Sequence, residues 1–140
     1  MFVTNPIGII GEETAIDMLR KQGFSILERN WRCGHLEVDI IAKNRQTIVF
    51  AEVKARTSTF KRAEEYVDEA KKRRVTVAAN AYIRMHKIED LTPRFDIFGV
   101  LVNATNHEVI ECNHLPNAFV PRLRTITAGS YLPKWRWKRK

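Results

Sequence analysis

The apolar residues of this chain recur with a period of two in some stretches and with a helical period in others. Charged and apolar residues alternate at 37–41 and 48–54, which predicts a hairpin of two strands with a tight turn at Asn44 and Arg45. The same patterns, together with the Gly, Pro and Asn positions that bound them, predict further strands at 24–32, 94–103 and 107–113.

Two stretches show the spacing of amphipathic helices. The first helix is predicted at 8–22, with an apolar stripe formed by Ile9, Ala15, Ile16 and Leu19. The second is predicted at 64–86, and its sheet-facing side includes Val77, Ala78, Ala81 and Met85. The resulting order, α-β-β-β-α-β-β, predicts an α/β fold in which a mixed β-sheet is flanked by helices.

Glu12 falls inside the apolar stripe of the first helix. A carboxylate on a buried face needs a partner, because an unpaired buried charge is costly. Two partners are open at this point: Glu12 is a third acid of a metal site, or it pairs with a lysine or arginine of the core. The spacing alone slightly favours the ion pair.

Four charged residues lie on the otherwise apolar hairpin strands. Glu37 and Asp39 share a face of the first strand, and Glu52 and Lys54 share a face of the second. Paired strands lie ~4.8 Å apart, so Asp39 and Glu52 can reach one metal ion if the register sets them side by side. Magnesium prefers such carboxylate oxygens, and a neighbouring lysine can stabilise charge on a phosphate. The alternative is a solvated face with cross-strand ion pairs.

Length and composition indicate one globular domain. The chain has 140 residues, 44% of them hydrophobic, and no apolar run approaches the ~18 residues that a membrane span requires. The N-terminus lacks the basic region and apolar core of a signal peptide. Cys33 and Cys112 show no metal-ligand spacing and are expected to be free thiols. We therefore expect a cytoplasmic protein with no membrane partner.

The net charge of +8 comes almost entirely from the C-terminal end. Residues 117–140 contain seven basic residues and no acid, whereas the rest of the chain is nearly balanced. We accordingly divide the chain into a domain at 1–116 and a basic tail at 117–140. Such a tail suits phosphate backbones or an anionic membrane surface, or serves only solubility. The expected nucleic-acid contacts are Lys71 and Arg74 on the second helix and Arg136 and Lys138 in the tail.

Several short motifs occur in order along the chain: Gly11-Glu12, ERNWR at 28–32, EVDIIA at 37–42 and FAEVKAR at 50–56. Together they resemble the YraN-like uncharacterised bacterial family. That family is similar to the PD-(D/E)xK, or restriction-endonuclease-like, nuclease superfamily, which includes archaeal Holliday junction resolvases. The resemblance covers about residues 8–116.

The resemblance implies a restriction-endonuclease-like fold and a Mg²⁺- or Mn²⁺-dependent endonuclease acting on DNA, including branched or structured DNA. By this resemblance Asp39 and Glu52 are metal ligands, Lys54 is the catalytic lysine, and Glu12 is the helix-borne acid of the resolvase-like branch. There are departures: Leu36 stands where many members have glycine, and the loop after Arg56 lacks a common glycine. They concern the fit of the substrate more than the metal site.

A second function of a different class is a non-catalytic nucleic-acid-binding or assembly protein on the same fold. The presence of Asp39, Glu52 and Lys54 argues against it, because a protein without turnover has no need of all three. A third function is a membrane-surface adaptor acting through the tail segment Trp135-Arg136-Trp137-Lys138. Besides DNA, a second copy of the chain is a possible partner in a homodimer.

The composition of the tail leads to a measurable prediction. Deleting residues 132–140 removes five positive charges, so DNA binding should weaken and its salt dependence should flatten. If all five charges met duplex phosphates, the slope of log affinity against log salt would fall by ~4.5. Anisotropy titrations at several salt concentrations measure this slope. If Trp135 and Trp137 instead pack on the body of the protein, the melting temperature falls and the slope stays unchanged.

Overall fold

The computed structural model describes residues 5–58 and 68–119. Its elements follow the chain as α1 (Pro6–Lys21), β1 (Ser25–Cys33), β2 (Leu36–Lys43), β3 (Thr47–Arg56), α2 (Glu69–Met85), β4 (Thr92–Val102) and β5 (Val109–Leu115). The strands form one sheet with the spatial order β1-β2-β3-β4-β5. The pair β3–β4 is parallel and the other three pairs are antiparallel. The predicted α/β class, element order and mixed sheet flanked by helices are confirmed.

The two helices cover opposite faces of the sheet, and β3 is buried on both. Val49 and Ala51 of β3 join the core under α1, together with Ala15, Ile16 and Leu19 of that helix. Ile48 and Phe50 point the other way, into the core under α2, whose members include Val75, Ala78, Ala79, Tyr82 and Ile83. Strands covered on both faces become continuous apolar runs, as the sequence of β3 shows up to Ala51.

The second helix differs from its prediction in part of its buried face, although Ala78 is buried as expected. The helix begins at Glu69, because Asp68 is extended and its side chain accepts a hydrogen bond from the Lys71 amide at 2.9 Å. Residues 64–67 of the predicted helix lie outside the described residues. Val77 and Met85, which were expected to face the sheet, are 45% and 62% exposed. The buried face instead carries Tyr82, whose ring meets those of Trp31 and Phe50 edge-on. Large aromatic and branched side chains thus determined which face of the helix packs.

The first helix extends two residues further toward the N-terminus than predicted. It starts at Pro6 because Asn5 caps it, accepting a hydrogen bond from the Gly8 amide at 3.2 Å. Ile9 was placed in the buried stripe but is 45% exposed. The close contact with the sheet is made instead by Gly11, against Ala55 of β3. The other residues of the stripe, Ala15, Ile16 and Leu19, are buried as expected.

Asp96 on β4 is fully buried and fully engaged. Its carboxylate accepts two hydrogen bonds from Arg94, at 2.9 and 2.8 Å, and one from the Asn117 amide at 3.0 Å. The Nε2 atom of His114 on β5 lies 2.7 Å from the same carboxylate. Asp96 therefore has a structural role, because its contacts with His114 and Asn117 tie β5 and the turn after it to β4.

The last described residues still pack on the sheet. The Ala118 amide bonds to the Phe95 carbonyl, and Phe119 stacks on the Phe95 ring with centroids 5.0 Å apart. The rest of the predicted tail, including Arg136 and Lys138, lies outside the described residues, as do residues 59–67. Within the described ranges, neither helix is long and apolar enough to cross a membrane.

The contact between α1 and β3 can be tested at Gly11. A Cβ atom at this position would lie 2.6 Å from the Ala55 Cβ, so Gly11→Ala should destabilise the fold by about 1–3 kcal/mol despite the better helix propensity of alanine. Gly8→Ala is the matched control, because its Cβ would come no closer than 3.4 Å to the Asn5 side chain. Urea unfolding measures both variants, and equal stabilities would show that α1 does not press against β3.

Candidate metal centre

Asp39 lies where the backbone pairing of β2 with β3 ends. The last pair of that ladder is Ile40 with Ala51. One residue further, the Asp39 side chain takes over, because its Oδ2 accepts a hydrogen bond from the Val53 amide at 2.8 Å. If the register continued by one more pair, Asp39 would stand opposite Glu52, the position from which two carboxylates could share a metal ion.

The alternation of β2 breaks at the same residue. Val38 and Ile41 both belong to the core under α2, although residues three apart in a regular strand face opposite sides. Ile40, between them, belongs to the core under α1. The strand is therefore locally distorted at Asp39, and this distortion lets the carboxylate approach the backbone of β3 instead of standing out from the sheet.

The facing position on β1 is distorted as well. Asn30 lies between the pairs Arg29 with Ile40 and Trp31 with Val38, and it has a φ of 51°. Asparagine adopts this left-handed conformation more readily than most residues. Its side-chain amide donates a hydrogen bond to Glu12 Oε1 at 3.2 Å. Glu12 is thus held by an asparagine of β1, a contact that the sequence did not indicate.

Glu52 is buried on the α2 side of β3 and only half satisfied. Its side chain is 7% exposed, and Oε2 lies 3.0 Å from the Nζ atom of Lys71. Oε1 is buried and has no hydrogen-bond partner in the part of the chain that the structure describes. A buried carboxylate oxygen without a hydrogen-bond donor is destabilising. A further cation or donor bound at Oε1 would therefore stabilise the site.

Both acids have a raised pKa. Burial raises the pKa of Asp39 to about 7, and the charge of Glu52 adds to this, while the Val53 amide opposes it. The charges of Glu12 and Glu37 contribute smaller increases. Burial also raises the pKa of Glu52, although Lys71 counteracts it. Burial and nearby negative charges disfavour the ionised forms of these carboxylates. A bound divalent cation would stabilise those ionised forms.

Lys54 and Glu37 complete the surroundings. Lys54 follows Glu52 by two residues on β3, so both lie on the same side of the strand. Its charge lowers the pKa of Glu52, though by less than that of Lys71. Glu37 lies opposite Arg32 on β1, with 3.7 Å between their charged atoms, a long and exposed ion pair. The solvated cross-strand pair that the sequence left open thus applies to Glu37 and not to Glu52.

The donor set fits a hard cation that also takes ligands from outside the protein. Within residues 5–58 and 68–119, no group of three or more His, Cys, Asp or Glu side chains is arranged around one point. If they bind a metal ion, Asp39 and Glu52 would therefore supply a pair of ligands and not a closed cage. Magnesium commonly takes one or two carboxylates and completes its shell with water and phosphate. A third ligand from Glu12 stays a prediction.

The predicted nucleic-acid contacts differ in their surroundings. Arg74 is exposed on α2, whereas Lys71, in the first turn of that helix, is paired with Glu52. Sequence reasoning missed this pair because it joins residues from two elements far apart in the chain. The four basic residues at 71–74 predicted phosphate contacts on this helix, but they did not indicate that Lys71 pairs with Glu52. Asn30 was also missed, and its position in the ERNWR motif was the available signal.

Comparison with known proteins places the chain among uncharacterised relatives. A family model described as "Uncharacterised protein family UPF0102" matches residues 11–100. A UPF0102 protein of Trichlorobacter lovleyi is 43% identical over 115 residues, covering 81% of this chain and 89% of the relative. A UPF0102 protein of Caldicellulosiruptor saccharolyticus is 42% identical, with 81% and 96% covered, and one of Bacteroides thetaiotaomicron is 40% identical, with 85% and 96% covered. The family match spans the four residues predicted to be catalytic: Glu12, Asp39, Glu52 and Lys54.

The raised pKa of Asp39 predicts how stability depends on pH. With its folded pKa at about 7, above the ordinary 3.8, the folded protein favours the protonated acid, so the contribution of Asp39 to stability in EDTA should fall as the pH rises from about 4 to 7. Asp39→Asn keeps an oxygen for the Val53 amide and removes the charge. At pH 8 it should be about 1–2 kcal/mol more stable than the wild type, and the gain should vanish near pH 4.

Chemical unfolding at pH 4 and pH 8 measures this difference. Asp17→Asn is the control, because Asp17 is exposed on α1 and its substitution removes one charge away from the site. The control should follow the wild-type pH profile. An Asp39→Asn variant that is less stable than the wild type at pH 8 would show that the carboxylate stabilises the fold.

Proposed function

We propose that this chain, which belongs to the uncharacterised family UPF0102, is a metal-dependent endonuclease acting on DNA. The observation that carries the proposal is the Asp39–Glu52 pair at the end of the β2–β3 ladder. One acid has a pKa raised to about 7, and the other has a buried oxygen without a partner in the described chain. Lys54 lies on the same side of β3 as Glu52. Together they provide two ligands and one positive charge.

In this proposal Asp39 and Glu52 hold Mg²⁺ or Mn²⁺, which supplies Lewis-acid polarisation of a phosphodiester and activation of water. The protein contributes the placement of these groups. The Val53 amide fixes Asp39 through Oδ2, so the carboxylate does not need to be ordered when a ligand arrives. Glu52 is fixed by its place in the continuous ladder with β4, where it pairs with Ile97.

Lys54 would act on the phosphate. A fixed ammonium group beside the scissile phosphate offsets the negative charge that develops there as water attacks and the leaving oxygen departs. Its positive charge already acts on Glu52, whose pKa it lowers. Glu12 lies on α1 and is held by Asn30. Its negative charge would make the electrostatic potential at Asp39 more negative and so favour binding of a divalent cation.

Nucleic acid is the proposed substrate because of charge and resemblance. The chain carries a net charge of +8, and exposed basic residues such as Arg73 and Arg74 stand on α2, the helix that supplies Lys71 to the site. Positive surface of this kind attracts phosphate backbones through release of counterions. The resemblance to resolvases extends the proposal to branched or structured DNA.

Glu52→Gln tests the chemistry. We expect the wild type to cleave at least one of single-stranded, duplex, flap and four-way-junction DNA with Mg²⁺ or Mn²⁺, and the variant to be inactive on the same substrate. The substitution removes a charged ligand but keeps the shape of the side chain. DNA binding, measured in parallel, should change little.

Glu13→Gln is the matched control for this assay. Glu13 undergoes the same chemical change but is exposed on α1 and pairs with Arg29 at 2.9 Å, away from Asp39 and Glu52. It should retain wild-type cleavage. Undiminished cleavage by Glu52→Gln would place catalysis elsewhere. Binding by the wild type without cleavage of any substrate would favour the non-catalytic DNA-binding alternative.

A further inference from the structure

The two buried acids of the sheet are neutralised in different ways. Asp96 is held by a bidentate arginine, a histidine and a backbone amide, which together occupy both of its oxygens. Glu52 meets one lysine at one oxygen, and its other oxygen is buried without a partner in the described chain. The first arrangement is a finished structural pair. The second is an incomplete one, because half of the carboxylate is desolvated without compensation.

The cation at Glu52 is also of the kind that is readily exchanged. A lysine ammonium is a compact point charge on a flexible stem, unlike the planar fork of an arginine. The Lys71 side chain is 27% exposed, so it has a direct route to solvent. Its backbone is fixed in the first turn of α2 by the Asp68 cap. The ammonium group can therefore leave Glu52 by side-chain rotation alone, without movement of the helix.

We propose that Lys71 competes with the divalent cation for the Glu52 carboxylate, so that binding of the ion releases Lys71 toward the phosphate backbone of the substrate. This inference rests on the proposed function, because it assigns a role to Lys71 at the same site. Lys71 would then occupy two successive states. Without the metal ion it forms the ion pair with Glu52, and with the metal ion bound it contacts a phosphate of the substrate.

Competition has a consequence for affinity. When the Lys71 ammonium group and the metal ion compete for the Glu52 carboxylate, each weakens the binding of the other by the same factor, as linkage requires. Removing the lysine charge should therefore tighten binding of the metal ion, whereas a lysine that merely positions Glu52 would loosen it on removal. We expect the dissociation constant for Mn²⁺ to fall about tenfold, which corresponds to about 1.4 kcal/mol.

The experiment is titration calorimetry with Mn²⁺, in the absence of DNA, on full-length protein first stripped with EDTA. Lys71→Met removes the charge and keeps most of the side-chain length. Lys71→Gln is the second variant, because its amide can still donate to Glu52 and so protects the fold if the methionine variant is unstable. Lys72→Met is the matched control: it makes the same change one residue along, where the lysine pairs with Glu69 at 3.4 Å.

Tighter Mn²⁺ binding by either folded Lys71 variant, with Lys72→Met at the wild-type value, supports the inference. Unchanged or weaker binding by the folded Lys71 variants, when the wild type binds Mn²⁺ and Glu52→Gln does not, overturns the inference alone. Absence of binding by the wild type and by both Lys71 variants overturns it together with the proposed metal site. The two failures are thus distinguishable without any cleavage assay.

Discussion

The parallel pairing of β3 with β4 is the constraint on which the candidate site depends. It runs without interruption from Thr47 with Thr92 to Arg56 with Leu101, and it places β3 in the centre of the sheet between two helices. A charged side chain on such a strand cannot reach water easily and must be neutralised by the surrounding structure. The position of Glu52 therefore determines what the neighbouring elements must supply, and α2 supplies Lys71.

Parts of this arrangement could be predicted from the sequence because they are local. The alternating residues of the hairpin fixed its two strands and the turn at Asn44, and the register, if continued by one more pair, would set Asp39 opposite Glu52. The packed face of α2 could not be obtained in this way. A helical wheel ranks residues by polarity, whereas Tyr82 was buried because its ring fits against Trp31 and Phe50.

The rest of the site depends on tertiary contacts that leave no periodic signal. The pair between Lys71 and Glu52 joins the start of a helix to the middle of a strand, and only the crossover from β3 through α2 brings them together. The turned backbone of Asn30 is likewise set by the neighbouring strand. The sequence indicated that Glu12 needs a partner, but the asparagine that holds it belongs to no charge pattern.

The parallel β3–β4 pair also sets the order in which the molecule can assemble. The strands β1, β2 and β3 are consecutive and antiparallel, so they can pair once Arg56 has emerged from the ribosome. Glu52 gains its full cover only when α2 and β4 have followed, and at roughly 5–20 residues per second that interval lasts on the order of seconds. During synthesis the hairpin therefore exists before its central strand is enclosed. An apolar strand with an open edge is prone to pair with other chains, so this interval is when the nascent protein is most exposed to aggregation and to chaperones.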